Sequence, residues 1–379
     1  MQDIFNGEYK GKVVFLTGHT GFKGAWMALW LRLLGAEVVG YSLEPPTQPN
    51  LFDATQISNG ICHIISDIRD SSSLVAAMQK HKPHFVFHMA AQSLVRRSYK
   101  IPRETYETNV MGTVNVLEAV KATPSVKVCI FVSSDKCYEN KEWIYAYREN
   151  DPMGGYDPYS SSKGAAEIIT DSYRRSFFNH QVDGKDVTKV VSARAGNVLG
   201  GGDWAEDRII PDCIRSLSKN KPIELRDPYA IRPWQFVLEP LSGYLWLGAL
   251  LSEGRVNAEY AWNFGPALSN SLCVNDVVER IIKAWGNGRK DYVQNSKEKN
   301  QCHEANTLKL DCSKAANFLG WKANLEEDEA IDAAVKWYFE YYNNKNFDAK
   351  KFSISQIENY VETAKNKEIV WSHAGESRS

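Results

Sequence analysis

The first half of the chain alternates short apolar runs, rich in β-branched residues, with longer segments of helical pattern. The apolar runs that we predict as strands are residues 12–17, 37–41, 61–65, 84–88, 126–133 and 188–194. The helical patterns are residues 22–34, 71–80, 104–121 and 163–178. Strands that alternate with helices form βαβ units, whose strands run parallel and whose helices cover both faces of the sheet. The pattern therefore predicts an α/β fold with a doubly wound parallel sheet.

The regular alternation ends after Arg194, and Pro222, Pro228 and Pro233 interrupt the stretch that follows. Later predicted elements are strands near 235–238 and 261–264 and helices near 241–251, 274–285 and 327–341. We predict a first domain over residues 1–194, to which the segments near 235–264 return. A smaller, mixed, partly helical domain is predicted over 195–342. The polar residues 343–379 predict a tail with a loosely packed helix and a disordered end.

Composition and charge narrow the function classes. The 379 residues carry a formal net charge of −1, so the chain has no general attraction to nucleic acid or to an anionic membrane. The apolar stretch 25–36 contains Arg32 and is too short to span a bilayer. Seven cysteines without a Cys-x-x-Cys pair predict reduced thiols and no metal site. Because residues 1–12 lack the apolar core of a signal peptide, we expect a cytoplasmic protein.

A glycine-rich segment follows the first predicted strand and opens the first predicted helix. Its sequence is Gly18-His19-Thr20-Gly21-Phe22-Lys23-Gly24. Glycines at this spacing allow a tight turn and a close approach of backbone to a pyrophosphate, which the N–H groups of the helix start can bind. The alternative is a purely structural glycine turn, but the strand before and the helix after are the context that a dinucleotide motif requires. Lys23 is either solvated or adds charge near the phosphates, and His19 is large enough to crowd the site.

Two further strand ends bear on the same ligand. Ser42 follows the second strand, where dinucleotide folds usually place an acid that binds the adenosine ribose, and no arginine stands there to accept a 2′-phosphate. The residues alone therefore leave NAD and NADP open. Asp67 and Ile68 follow the third strand. The Asp67 carboxylate either accepts a hydrogen bond from the adenine amino group or caps a turn.

Tyr159 and Lys163 are four residues apart, so on a helix they share one face. A phenol has an unperturbed pKa of about 10, and a fixed cation nearby favours its ionised form. With a second positive charge, such as an oxidised nicotinamide ring, we expect this pKa to approach neutrality. The pair then indicates proton transfer coupled to hydride transfer, although such pairs also arise by chance.

The fifth predicted strand ends in Ser133-Ser134-Asp135-Lys136. Ligands of open α/β sheets bind at the carboxyl ends of the strands, so these side chains should meet the Tyr159 helix. The combination resembles the extended short-chain dehydrogenase/reductase family over roughly residues 12–341. The resemblance is carried by the glycine loop, by His88-Met89-Ala90-Ala91-Gln92, by Asn109 in Thr108-Asn109-Val110-Met111-Gly112-Thr113, and by Ser134, Tyr159 and Lys163.

The resemblance implies a Rossmann-like first domain that binds NAD and a second domain that binds a nucleotide sugar. Besides the glycine loop, the residues implied to contact the cofactor are Ser42, Asp67, Ile68, Ala90, Ala91, Asn109, Ser133, Tyr159 and Lys163. Ser134 is implied to donate a hydrogen bond to the sugar O4. Tyr159 is implied to remove the O4 proton, while Lys163 holds the phenolate and the nicotinamide ribose.

Asp135 and Lys136 go beyond that triad. Nucleotide-sugar 4,6-dehydratases of the family carry an acid at the position of Asp135, which protonates the leaving 6-hydroxyl and for which we expect a raised pKa. Most of them have Glu where this chain has Lys136. Lys136 is therefore implied either to remove the C5 proton or to stay charged and stabilise the enolate at O4.

The resemblance also implies the substrate residues. Arg232 and Arg208 are candidates for a diphosphate, because guanidinium groups match phosphate oxygens, although Arg208 is equally consistent with a surface charge. Asn197 either binds the same phosphates or orders its loop, and Gln92 and Ser93 are implied to touch the hexose. The segments 194–204 and 232–235 imply CDP-glucose as the nucleotide sugar.

Helices near 104–121 and 160–178 resemble the pair through which this family dimerises, which implies a homodimer or homotetramer. Two other functions stay open. One is a different enzyme of the same fold, such as a 4-epimerase or another dehydratase. The other is a non-catalytic dinucleotide sensor, which would normally have lost Tyr159 or Lys163.

Overall fold

The computed structural model describes residues 1–179, 187–225, 227–258, 261–266, 272–286, 292–294 and 307–373. Its strands are β1 (Val13–Thr17), β2 (Glu37–Ser42), β3 (Cys62–Ile65), β4 (Phe85–His88), β5 (Val128–Val132), β6 (Lys189–Ala195), β7 (Val198–Leu199), β8 (Ile223–Leu225), β9 (Gln235–Phe236), β10 (Ala261–Phe264) and β11 (Tyr292–Gln294). Its α-helices are α1 (Phe22–Leu33), α2 (Leu51–Ala54), α3 (Ser71–His81), α4 (Val95–Lys100), α5 (Pro102–Tyr106), α6 (Gly112–Lys121), α7 (Pro158–Phe177), α8 (Ile209–Leu217), α9 (Leu238–Ser252), α10 (Val274–Trp285), α11 (Glu327–Asn343) and α12 (Ala349–Asn366).

Seven strands form one parallel sheet in the order β10-β6-β5-β4-β1-β2-β3. The predicted doubly wound α/β sheet is confirmed. All five residues of β5 are buried, as expected for a central strand covered on both faces. The order reverses at β1, which lies between β2 and β4, and this switch point is where ligands of open α/β sheets bind.

Helix α7 begins at Pro158, five residues before the predicted start at Lys163. Asp157 caps it, because its carboxylate accepts hydrogen bonds from the Ser160 backbone N–H at 2.9 Å and from the Ser160 hydroxyl at 2.6 Å. Proline is well tolerated in the first turn, since the missing N–H would have had no helical partner. Tyr159 therefore sits in the first turn of the same helix that carries Lys163.

The chain after β6 contributes both to the sheet and to a second lobe. β10 extends the sheet beside β6, and residues 238–251 of α9 are all buried beneath it. The second lobe contains the parallel pair β8 and β11 together with α8, α10 and α11. Sequence patterns missed α8 and the short strands β7, β8 and β11.

The predicted helix of the tail is present as α12, but the expected loose packing is wrong for the residues that the structure describes. Ile357, Tyr360 and Val361 of α12 are buried, and Trp371 is fully buried. The Trp371 ring stacks on Phe5, with 5.1 Å between ring centroids, so the end of the chain closes the core against its beginning. The predicted disordered end beyond residue 373 lies outside the described residues. Within the described ranges, every helix is too short or too polar to cross a membrane.

Candidate active site

A cavity of about 1400 Å³ opens at the carboxyl ends of the parallel strands. One wall is formed by the segments that follow β1, β2, β3, β4, β5 and β6, together with the start of α7. The opposite wall comes from the second lobe, including residues around 202–212 and 224–234. The glycine loop and the start of the Tyr159 helix therefore line the same cavity.

The glycine loop has the geometry that a close-fitting pyrophosphate loop needs. Gly18 has a φ of +77°, and a Cβ there would lie 2.7 Å from the Ala90 backbone nitrogen. A Cβ on Gly24 would lie 2.0 Å from the Gly18 carbonyl oxygen. The first turn of α1 begins at Phe22 and faces the same cavity, so its N–H groups are available to phosphate oxygens. These residues fit a dinucleotide.

The His19 side chain turns away from the cavity, so the expectation that it crowds the ligand is wrong, while a contact through its backbone stays a prediction. Its imidazole is buried, its Nε2 lies 2.6 Å from Nδ1 of His63, and its ring packs edge-on against Phe52. It fills the space above Gly40, where a Cβ would lie 2.4 Å from the ring. Burial lowers the pKa of His19 to about 3, and repulsion from His63 adds to this shift.

Lys23 projects from α1 into the floor of the cavity. Its Nζ lies 5.6 Å from the centroid of the Tyr244 ring. Burial lowers the pKa of Lys23 to about 7, with further lowering from Arg208 and Lys163 that Asp135 opposes. The fully solvated alternative for Lys23 is therefore wrong.

The expected ribose and adenine residues also line the cavity. The Ser42 and Thr20 hydroxyls are hydrogen-bonded to each other at 2.8 Å, and the Thr20 hydroxyl donates to the Leu43 carbonyl oxygen. The Asp67 carboxylate accepts from the Arg69 backbone N–H at 2.8 Å, which is the expected turn contact, and from the Arg69 guanidinium at 2.6 and 2.8 Å. It also lines the cavity, where a contact with adenine stays a prediction. Ile68 completes this wall. Sequence reasoning missed Glu44, an exposed acid in the cavity lining two residues beyond Ser42.

Asn109 has a supporting position rather than the predicted cofactor contact. It is 2 % exposed, and its amide oxygen accepts from the Gln92 N–H at 2.8 Å. Its amide nitrogen donates to the Gln92 carbonyl at 3.0 Å and to the Ser162 hydroxyl at 2.9 Å. The amide thus pins the loop after β4 to α7. Ala90 and Ala91 of that loop line the cavity, as predicted.

The segment after β5 brings three polar side chains together. The Ser134 hydroxyl donates to Asp135 Oδ1 at 2.9 Å and accepts from the Lys136 backbone N–H at 3.2 Å. Lys136 Nζ lies 3.4 Å from Asp135 Oδ1 and 3.4 Å from Asn197 Oδ1. Ser133 lies at the end of the strand and lines the same cavity. An acid, a hydroxyl and an ammonium group therefore converge on one point.

Tyr159 lines the same cavity beside Ser134. Burial raises the pKa of Tyr159 to about 12, and the neighbouring Ser134 hydroxyl, which can donate to the phenolate, opposes this shift. In the protein alone the pKa is thus raised, because burial outweighs nearby cations. The expected shift toward neutrality concerns the complex with the oxidised cofactor and stays a prediction. Burial lowers the pKa of Lys163 to about 8 while Glu167 raises it, and its ammonium lies 5.6 Å from the Phe131 ring centroid.

A buried ion pair that sequence reasoning missed lies directly behind Lys163. Glu167, one helical turn further along α7, accepts two hydrogen bonds of 2.9 Å from the Arg194 guanidinium. Both side chains are fully buried. Arg194 also donates to the Tyr138 hydroxyl at 2.8 Å, which ties this pair to the segment that carries Asp135. The available signal was an acid four residues after Lys163, on the same helix face.

The predicted substrate residues also line the cavity. Arg208 donates to Asp203 at 2.8 Å and to the Ser93 hydroxyl at 3.3 Å, so it joins the second lobe to the loop after β4. Arg232 is 7 % exposed and lines the cavity. Gln92 also lines it, but its side chain is bonded within its own loop to Leu94.

Arg96 was not predicted, although it also lies in this wall. Its guanidinium is 3.1 Å from Asp207, which forms a second bridge between the lobes beside Arg208. Arg96, Arg208 and Arg232 all line the cavity, the first two paired with Asp207 and Asp203. Guanidinium groups of this kind can bind the oxygens of a diphosphate.

Comparison with known proteins places these features in a family. Residues 15–334 match the family described as GDP-mannose 4,6 dehydratase. The chain is 49% identical over 331 residues to a CDP-glucose 4,6-dehydratase of Salmonella typhimurium strain LT2, an alignment that covers 87% of this chain and 91% of that protein. It is 27% identical over 342 residues to a dTDP-glucose 4,6-dehydratase of Xanthomonas campestris pv. campestris, covering 85% of this chain and 92% of that protein.

Solved structures share the fold. A dTDP-glucose 4,6-dehydratase from Bacillus anthracis str. Ames, solved in complex with NAD, superposes with a TM-score of 0.70 at 24% identity, covering 90% of this chain and 100% of the other. A UDP-glucose 4-epimerase from Thermotoga maritima, solved with UDP-glucose, gives a TM-score of 0.71 at 21% identity, covering 87% and 99%. At these identities the likeness establishes the fold.

Proposed function

Because this chain belongs to the GDP-mannose 4,6-dehydratase family, we propose that it converts CDP-glucose to CDP-4-dehydro-6-deoxy-glucose and water. The observation that carries this proposal is the cluster of Ser134, Asp135 and Lys136 opposite Tyr159 in one cavity. An oxidation at C4 alone needs the hydroxyl, the phenol and Lys163. Asp135 adds the acid that an elimination at C6 requires.

The cofactor of the proposed reaction is NAD. Its pyrophosphate would lie on the glycine loop, where Gly18 and Gly24 allow a backbone packing that has no room for a Cβ. The ribose and adenine would lie toward Ser42, Asp67 and Ile68, which line that end of the cavity. Bound NAD supplies an acceptor that takes hydride from C4 and returns it to C6.

Tyr159 is the proposed base at the sugar O4, and Ser134 holds O4 by a hydrogen bond. Burial raises the pKa of Tyr159 to about 12 in the protein alone. Lys163, one turn along α7, and the positive charge of the oxidised cofactor both favour the phenolate. In this account the complex, rather than the protein alone, ionises Tyr159.

Asp135 is the proposed acid that protonates the leaving C6 hydroxyl. The oxidised C4 makes the C5 proton acidic, and Lys136 is the proposed base that removes it and returns it. Its Nζ is held 3.4 Å from both Asp135 and Asn197, which aims it at the same part of the cavity. In the alternative, Lys136 stays charged and stabilises the enolate at O4.

The variant Lys136→Met separates these two roles. If Lys136 is the base, the exchange of the C5 hydrogen with deuterated solvent stops along with product formation. Undiminished exchange would remove Lys136 as the base and leave the enolate role. NAD affinity, measured by calorimetry, controls for a general disturbance of the site.

The arginine-lined part of the cavity is the proposed diphosphate site. Arg232 and Arg208 line it, and a bidentate guanidinium contact matches phosphate oxygens. Binding of a diphosphate there would compete with Asp203 for Arg208. Ser93, which Arg208 contacts at 3.3 Å, would then be free to meet the hexose. Gln92 and Asn197 are assigned to the same substrate.

We further propose a homodimer or homotetramer in the cytoplasm. The helices expected to pair are α5, α6 and α7, together with the turn between α5 and α6. Their exposed apolar side chains include Tyr106, Met111, Ile168 and Phe177. An apolar surface of this kind is typical of an interface between copies.

Residues 1–194 are the proposed cofactor domain and 195–342 the proposed nucleotide-sugar domain.

Incubation of the purified protein with CDP-glucose, with and without added NAD, tests the proposed function. A 4-keto-6-deoxy product, detected by its absorbance in alkali, is expected with CDP-glucose and absent with Tyr159→Phe. Turnover of UDP-, GDP- or dTDP-glucose in place of CDP-glucose would contradict the substrate. Interconversion with CDP-galactose would instead identify a 4-epimerase.

A further inference from the structure

One side chain, Ser134, lies between the proposed base at O4, Tyr159, and the proposed acid at C6, Asp135. The Tyr159 phenol lines the cavity beside Ser134, and the Ser134 hydroxyl donates to Asp135 Oδ1 at 2.9 Å. Tyr159, Ser134 and Asp135 are 7 %, 9 % and 1 % exposed, so bulk water has little access to the line that they form. A hydroxyl can donate one hydrogen bond while it accepts others, which is what the middle member of a proton path requires.

The proposed reaction, on which this inference rests, leaves these residues unequal after each turnover. Tyr159 gains the proton of O4, and the product carries no hydrogen on O4. Asp135 loses a proton to the C6 hydroxyl, which leaves as water. The C5 proton is removed and replaced at C5. Tyr159 therefore ends with one proton too many and Asp135 with one too few, although the reaction as a whole neither takes up nor releases a proton.

We propose that Ser134 carries the excess proton from Tyr159 to Asp135, so that the proton removed from O4 restores the acid used at C6. The Tyr159 O–H bond breaks as Ser134 Oγ takes that proton, and the proton of Ser134 moves to Asp135 Oδ1. Tyr159 becomes the phenolate again, Asp135 becomes the neutral acid, and Ser134 is unchanged. The step consumes no oxidant, reductant or other reactant.

The surroundings of Ser134 suit this role. The Lys136 backbone N–H donates to Ser134 Oγ at 3.2 Å and so fixes the oxygen. The Ser134 hydrogen is left for Asp135, and a second lone pair of Oγ is left for Tyr159. Ser134 also precedes the short helical turn Asp135–Cys137 and caps it, so its side chain has a defined direction. At the Tyr159 end, Lys163 on the same helix favours return to the phenolate.

The test follows Tyr159 itself, through the ultraviolet absorbance that distinguishes a phenolate from a phenol. The signal is the difference between the NAD-bound protein and its Tyr159→Phe variant, recorded after mixing with CDP-glucose. In the native protein we expect phenolate absorbance to fall and to recover within one turnover. In Ser134→Ala we expect recovery to slow by roughly 10²-fold, the lower end of the usual contribution of a proton-transfer group.

Two additions make the test specific for proton transfer. Ser134→Thr keeps a hydroxyl and should recover at close to the native rate. Imidazole, a small proton carrier, should speed recovery in Ser134→Ala in proportion to its concentration and leave the native protein unchanged.

Recovery in Ser134→Ala at the native rate, or no response of its slow recovery to imidazole, would overturn the relay. Neither result would touch the proposed function, because product formation by the native protein tests that function separately. If the native protein instead shows no loss of phenolate on mixing with CDP-glucose and forms no product, the proposed function itself fails and the relay with it.

Discussion

Replacing Glu167 by Gln removes one charge from the buried pair behind Lys163. Both carboxylate oxygens of Glu167 accept from Arg194 at 2.9 Å, and neither side chain is exposed. The variant removes the carboxylate charge that offsets the buried Arg194 charge. Removal of one member of a buried ion pair costs about 3–5 kcal/mol. At roughly 2–4 °C per kcal/mol for a domain of 150–250 residues, we expect Tm to fall by an amount on the order of 10 °C.

The same substitution should change the pH dependence of activity. Burial lowers the pKa of Lys163 to about 8, and Glu167 opposes that shift. Loss of the Glu167 carboxylate therefore lowers the pKa of Lys163 further. Because Lys163 must be charged to hold the Tyr159 phenolate, activity is lost as pH rises through this pKa. The alkaline limb of kcat should therefore move to lower pH in Glu167→Gln.

Other charged or titratable groups face Lys163, and they are unchanged in the variant. They are Tyr159 on α7, His88 on β4, Lys23 on α1 and Cys137 after β5. Burial raises the pKa of Cys137 far above its usual value, so its thiol is neutral over the range tested. Burial lowers the pKa of His88 to about 3, so it too is neutral.

Glu239→Gln is the matched control. Glu239 is also buried, and it accepts hydrogen bonds from the backbone N–H groups of Asn324 and Leu325 and from the Tyr360 hydroxyl. Its loss should lower Tm and leave the alkaline limb where it is in the native protein. The reasoning is refuted if Glu167→Gln loses stability but keeps the native alkaline limb, since the pair would then support the fold alone.

Three further predictions follow from single contacts. Gly24→Ala should weaken NAD binding at least about tenfold, or ~1.4 kcal/mol, because the added Cβ would lie 2.0 Å from the Gly18 carbonyl oxygen. Calorimetry measures the affinity, and Gly60→Ala, whose Cβ would make an ordinary contact at 3.4 Å, is the control. Arg232→Ala should raise KM for CDP-glucose more than it lowers kcat, and an unchanged KM would remove Arg232 from the diphosphate site. Trp371→Ala should lower the free energy of unfolding in urea by about 3–5 kcal/mol, since Trp371 is fully buried against Phe5 and Tyr360; a loss below ~1 kcal/mol would contradict the packed tail.

The sheet and the position of the site were predictable because both depend on local patterns. Apolar runs such as residues 126–133 are long enough to mark buried strands, and the parallel arrangement places all their carboxyl ends at one edge. Ser134 and Tyr159 could therefore be expected in one cavity, although Tyr159 is 25 positions after Ser134 in the sequence. That expectation required only the topology.

The directions of individual side chains were not predictable, because they depend on partners far away in the sequence. His19 turns from the cavity to meet His63, and Asn109 is held by Gln92 and Ser162. Neither partner is marked by a local pattern. The same holds for the pKa of Tyr159, since the extent of burial decides it and follows only from the complete fold.

The packing of the tail was mispredicted for a different reason. Its polar composition indicated weak packing, but Ile357, Tyr360, Val361 and Ala364 recur at helical spacing and form one buried stripe on α12. The periodic positions, rather than the average polarity, decide whether a helix packs. The contact of Trp371 with Phe5 joins the two ends of the chain and has no local signal.

In the proposed reaction one site oxidises C4 and reduces C6 of the same sugar. CDP-glucose carrying deuterium at C4 tests this directly, with the product analysed by mass spectrometry and NMR. We expect the deuterium to be kept and to appear at C6 of a 4-keto-6-deoxy sugar, whether or not NAD is added in excess. Deuterium that stays at C4, or that is lost to solvent while product forms, would contradict it.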